Sequence, residues 1–147
     1  MVEVARTVKP AGDLGNSRVI EKLEIERRYW ATRGVDWGII VAEDIPRDLA
    51  HNCQFLAGYY SLAQLQISDT DIRDVYDYLT PIMVSGREKF RFATRDCDQR
   101  LGLRPGISLG IGWHLMATRR WLINDWNRKL NPDDVIFITL PVSGALA

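Results

Sequence analysis

Apolar and polar positions alternate at the start of the chain. Val2, Val4, Arg6 and Val8 fall on one side of residues 2–9, and Glu3, Ala5, Thr7 and Lys9 on the other, the period-two pattern of a strand. Pro10 ends it, and residues 11–16 form a loop with two glycines. Ser17 is placed to cap a helix that runs to about Arg33, where Gly34 supplies the left-handed C-terminal position. Within that helix Val19, Leu23 and Trp30 share one sector, with Ile20 on its flank, while Glu21, Glu24 and Arg28 lie opposite. Residues 37–41, WGIIV, are an almost continuous apolar run, as expected of a short strand buried on both faces. Strand, crossover helix and strand predict a parallel βαβ unit. Two strands are too few for a stable sheet, so the chain reads as beginning in the middle of a domain.

The period then changes to that of helices. After Pro46, Leu49, Cys53, Leu56, Tyr60 and Ala63 form one stripe. Residues 68–71, SDTD, open another helix with Asp71 placed for a capping box; it carries Ile72, Val75, Tyr76 and Leu79 and is expected to end at Pro81. Residues 86–101 and 108–124 give two more helical patterns around a turn at 102–106. A turn at 131–134 precedes a predicted strand at 135–140. Helix, turn, helix and β element is the order of a winged-helix module. The predicted class is a mixed, helix-rich α/β chain with two lobes, 1–67 and 68–147, meeting near residue 68.

Composition narrows the classes. A chain of 147 residues that is 46% hydrophobic can bury one substantial core or two small ones, which excludes disordered, collagenous and coiled-coil readings. No apolar run approaches the roughly 20 residues that cross a bilayer, and the first residues lack a signal-peptide core, so a cytoplasmic protein is expected. Cys53 and Cys97 stand apart without CxxC spacing, with only His51 and His114 besides, so no structural zinc site is expected. The zero net charge hides an asymmetry. Residues 1–80 carry nine basic and thirteen acidic side chains, and residues 81–147 carry ten and six.

The candidate chemistry begins with Glu26, which sits about 40° from the centre of the apolar sector of its helix. An unpaired buried carboxylate costs several kcal/mol, so Glu26 requires a partner: a cation, a metal or an arginine. Lys9 is one candidate, because the crossover helix packs back over the strand that carries it; Arg27 and Lys22 are plainer ones. Metal-dependent nucleases hold Mg²⁺ with carboxylates while a lysine orients or activates water. Their acid and lysine commonly lie two residues apart on one strand, hence on one face. Here those positions are Thr7 and Lys9, and Thr7 supplies only a neutral oxygen.

The strings TVKP, RVIEKLEIERRYW and GVDWGIIVAEDI closely resemble the TnsA family, the endonuclease subunits of heteromeric cut-and-paste transposases. The likeness is strongest over residues 4–61 and extends more loosely to the C-terminal helices and β element. It implies a restriction-endonuclease-like core followed by a helical, winged-helix-like domain. It also implies Mg²⁺-dependent cleavage of DNA at transposon 5′ ends, beside a TnsB-like transposase and under a TnsC-like ATPase regulator bound through residues 68–147. By the same resemblance Lys9 matches the active-site lysine and Glu26 the acid of the following helix, while Thr7 stands where glutamine or an acid is more usual. The family's other metal-site carboxylates lie upstream of the lysine strand, and eight residues precede Lys9. The resemblance therefore implies that this chain does not complete the metal site by itself. The alternative is a non-catalytic module that binds DNA or the transposition regulator.

Arg119, Arg120, Arg128 and Lys129 flank the end of the last predicted helix and the turn after it, where they would meet phosphates or simply lie in solvent. Trp121 and Trp126 fall in apolar helical sectors and read as packing residues rather than as platforms for bases.

Overall fold

A computed structural model of the chain describes residues 3–63 and 67–142, so Val2 of the first predicted strand lies outside the described residues. It contains two compact units, Met1–Arg47 and Asp48–Ala147. The division falls about twenty residues before the expected boundary near residue 68. The reason is the helix after Pro46, whose Leu56 and Phe55 join the core of the second unit.

In the first unit β1 (Val4–Lys9) leads through a short 3-10 turn into α1 (Ser17–Ala31) and then β2 (Asp36–Val41). The strands pair in parallel, with Thr7 opposite Ile39 and Lys9 opposite Val41. Asn16, not Ser17, caps α1, its side chain accepting from the Arg18 N–H. Gly34 takes φ +67° past the end of the helix, where a side chain would be strained. α1 packs on β2 with Leu23 as its buried anchor. β2 departs from the expected two-sided burial, since Ile39 and Ile40 remain 40% and 36% exposed. A pair of strands has one neighbour apiece, and a single helix covers only part of one face.

The second unit is helical: α2 (Arg47–Ala57), α3 (Asp69–Ser85), α4 (Phe90–Leu101) and α5 (Ile107–Ala117), then a two-residue antiparallel pairing of β3 (Leu122–Ile123) with β4 (Ile138–Thr139). α5 is apolar all round and accordingly central, with Ile111, Trp113, Leu115 and Met116 buried. Gly112 is required there. A Cβ would come within 2.5 Å of the Phe90 ring of α4, and that ring packs edge-on against Trp113 at 4.7 Å. The expected stripe of α2 is rotated: Asn52 and Leu56 are buried, whereas Cys53 and Tyr60 are exposed. The aromatic contacts of Phe55 and Tyr59 with Trp113 set that orientation.

α3 opens with the expected Ser68–Asp71 capping box but does not stop at Pro81; it continues to Ser85 and Gly86 at φ +60°. Proline removes one N–H from the ladder. Pro81 and Asp77, whose carbonyl loses its donor, both lie on the exposed side of the helix, while Leu79 and Met83 on the other side stay buried. α4 starts at Phe90 rather than 86, and α5 ends at Ala117 rather than 124, so Arg119, Arg120 and Trp121 lie beyond it.

Candidate functional site

The burial of β1 alternates, so Ala5, Thr7 and Lys9 share the half-buried face and Val4, Arg6 and Val8 the exposed one. Glu26, also half-buried, comes from α1 to that first face. Its partner is Thr7, whose Oγ1 donates to Glu26 Oε2 at 2.5 Å. Lys9, one of the candidate partners, forms no ion pair with Glu26 among the described residues. Arg27 is not the partner either, because Arg27 and Arg28 both bond to Glu24 at 2.7 Å. Thr7 and Glu26 line an open recess of about 420 Å³ together with Ala5, Arg6, Ile25, Tyr29 and Trp30.

The end of β1 is held by a residue that the sequence reading passed over. Pro10 cannot extend the ladder, and the next donor, the Ala11 N–H, bonds to Glu43 Oε2 at 2.9 Å. Glu43 follows β2 by two residues, as Ala11 follows β1, so its carboxylate ties the two strand ends just past the Lys9–Val41 pair. Its signal in the sequence was faint: an acid soon after an apolar run, at the C-terminal end of a parallel strand.

The donors suit a hard cation in kind. Glu26 and Thr7 offer oxygen, and Mg²⁺ is commonly bound through one or two carboxylates, completed by water and substrate phosphates. They are few in number, since among the described residues no three His, Cys, Asp or Glu side chains converge. Glu26 fits in kind as a metal carboxylate, with Oε1 receiving no hydrogen bond from any described residue of this unit.

In the second unit the four basic candidates are dispersed. Arg119 has φ +60° one residue beyond the α5 cap and lines an apolar recess of about 550 Å³ with Cys53, Tyr60 and Trp126. Arg120 lies 4.8 Å from the centre of the Tyr76 ring. Arg128 is paired with Asp134 at 3.0 Å, and with Lys129 it lines a smaller recess that also contains Asp125. Trp121 is fully buried and donates to Thr80 Oγ1, so it packs as expected, and Trp126 is half-buried. His114 Nδ1 lies 2.9 Å from the Tyr59 carbonyl.

Two buried polar residues shape this unit and were missed. Asn52 donates to the Trp126 and Arg128 carbonyls and accepts from the Leu130 N–H, fixing the loop that carries Arg128 and Lys129. Asp98 reaches from α4 to accept from the Gly106 and Ser108 N–H groups at 2.7 and 2.8 Å, which caps α5 across the turn. Asp98 shares its helical face with Phe90, Thr94 and Cys97, the same polar-in-apolar signal that drew attention to Glu26.

The family described as "TnsA endonuclease C terminal" matches residues 44–124 of the 147, and "TnsA-like endonuclease N terminal" matches residues 1–42. The chain belongs to the TnsA family. A curated relative, the transposon Tn7 transposition protein TnsA of Escherichia coli, is 36% identical over 66 residues, 45% of this chain. The alignment spans 23% of that relative's length. The family matches divide at residues 42–44, close to the division between the compact units, and Thr7, Lys9 and Glu26 all fall in the N-terminal match.

Proposed function

We propose that this chain acts in the cytoplasm as a TnsA-type endonuclease subunit that cleaves DNA at transposon 5′ ends during transposition. The observation that carries this reading is the placement of Lys9 and Thr7 on one face of β1 with Glu26 bonded to that face, inside the TnsA-like N-terminal match. In this reading the βαβ unit is part of a restriction-endonuclease-like core, and the second unit is a winged-helix-like domain. Glu26 would be the ligand from this unit to Mg²⁺, with the remaining donors coming from water, DNA phosphate or groups outside the described residues. When bound, the ion supplies charge neutralisation at the scissile phosphate. Lys9 brings a cation to the same strand face, able to hold a phosphate oxygen or orient the attacking water. Thr7 is at most a neutral neighbour of the metal.

The second unit would contact transposon-end DNA through Arg119, Arg120, Arg128 and Lys129, and would meet a TnsB-like transposase and, through residues 68–147, a TnsC-like ATPase regulator. The test is nicking of transposon-end DNA by the chain with those partners in Mg²⁺. Lys9→Ala is expected to lower the rate by at least about a hundred-fold, the usual scale for a proton-transfer or oxyanion group. Nicking at the unmodified rate in Lys9→Ala would end this assignment.

That no three His, Cys, Asp or Glu side chains converge among the described residues favours one other reading, a non-catalytic module that binds DNA or the regulator. It predicts no nicking with any partner, alongside salt-dependent DNA binding or capture by the regulator.

A further inference from the structure

Thr7 occupies the strand position where the metal-nuclease arrangement calls for a charge, and its hydroxyl has one proton to give. That proton is directed to Glu26 Oε2. The donor is held firmly: Thr7 lies in the middle of the β1 ladder opposite Ile39, and its branched Cβ restricts χ1. The acceptor ends a side chain with three rotatable bonds on the face of α1. A fixed donor facing a mobile carboxylate selects the orientation of the carboxylate. Thr7 engages Oε2, and Glu26 lines the recess formed with Ile25, Tyr29 and Trp30.

We infer that Thr7 is a positioning residue, which orients the Glu26 carboxylate through its hydroxyl and presents Oε1 to a cation. The inference rests on the proposed role of Glu26 as the site carboxylate. Thr7 then replaces a charged or amide neighbour with a hydroxyl that supports the acid beside it. Such supporting hydrogen bonds fix the orientation of metal-binding carboxylates.

The test uses the full chain without metal, by NMR of the Glu26 side chain. In the unmodified protein the three-bond couplings across χ1 and χ2 of Glu26 report one rotamer, and the Thr7 hydroxyl proton is protected from exchange. Thr7→Ser keeps the single-rotamer couplings; Thr7→Val, which preserves shape and removes the donor, collapses them to rotamer-averaged values while the backbone amide spectrum stays dispersed. Unchanged couplings in Thr7→Val would overturn the inference. So would averaging in Thr7→Ser equal to that in Thr7→Val, because packing rather than the hydroxyl would then set the rotamer. The protected hydroxyl needs no variant, and a rapidly exchanging one overturns the inference as well. Nicking by Glu26→Gln separates the two layers. Unimpaired nicking there removes Glu26 from the site, whatever the couplings show for Thr7.

Discussion

At the scale of the residue, the polar side chains that matter most sit in apolar surroundings, and each has found a specific partner. Glu26 takes the Thr7 hydroxyl, Asn52 takes three backbone groups of the loop at 126–130, and Asp98 takes two N–H groups at the start of α5. Removing such a partner leaves buried groups unsatisfied, which costs about 1–3 kcal/mol for each neutral group. Asn52→Ala is therefore expected to lower the unfolding free energy by at least about 2 kcal/mol in urea titration, and a loss under about 0.5 kcal/mol would show that water replaces the side chain. Gly112→Ala places a Cβ against Phe90, and overpacking of this kind costs about 1–3 kcal/mol in the same measurement. Glu43 makes a subtler prediction. Glu43→Ala should speed amide hydrogen exchange at Ala11, whereas Glu43→Gln, which retains an acceptor oxygen, should leave it slow. These roles were only partly legible. A polar residue inside an apolar helical stripe can be seen in sequence, as Glu26 was. Its partner cannot, because partners lie 8 to 78 residues away along the chain.

At the scale of the element, α1 shows how surface charge is arranged around a site helix. Hydrogen bonds from Arg27 and then Arg28 pull the Glu24 carboxyl from 4.5 down to about 2. A folded-state pKa below the unfolded one means that Glu24 favours the folded helix fully above about pH 4.5. That contribution falls away as the pH drops through about 2. Carboxyl NMR titration should give a Glu24 midpoint near 2, returning toward 4.5 when Arg27 and Arg28 are both replaced by Gln. The group is solvent-exposed, so the effect on stability is small and screened by salt. In the segment after α5, the charge of Arg128 is already balanced by Asp134, while Lys129 has no ion pair among the described residues. If this segment meets DNA phosphates, Lys129→Ala should reduce the slope of log affinity against log salt by about 1, and Arg128→Ala by less. Equal slopes for the unmodified protein and Lys129→Ala would remove that lysine from the interface. The extents of the helices were approximate in sequence for physical reasons. α3 carries Pro81 in its interior without ending there, and α5 ends just before Arg119 takes a positive φ, with no breaker residue at that point.

At the scale of the whole molecule, the two units differ in how much they bury. Among the described residues Leu23 is the buried hydrophobic residue of the first unit, whereas the second encloses Val75, Leu79, Phe90, Ile111, Trp113 and Trp121 among others. A two-stranded sheet with one covering helix is marginal by itself. A chain of residues 48–147 is expected to unfold cooperatively by circular dichroism, and one of residues 1–47 to show no cooperative transition. A sharp melt of the shorter piece would mean that its half-buried face suffices. Among the described residues no helix is long and apolar enough to cross a membrane.

The sequence by itself determined the strand–helix–strand order of the first unit, the parallel pairing it implies, the capping box at Ser68, and the resemblance that the family matches bear out. Each is written in local periodicity or in strings of adjacent residues. Only the tertiary structure decided that Glu26 bonds to Thr7 and not to Lys9, that α2 turns Asn52 inward, and that the units divide near residue 47. Those outcomes depend on which side chains meet across separate elements. Local pattern limits that choice, and packing and the satisfaction of buried polar groups make it.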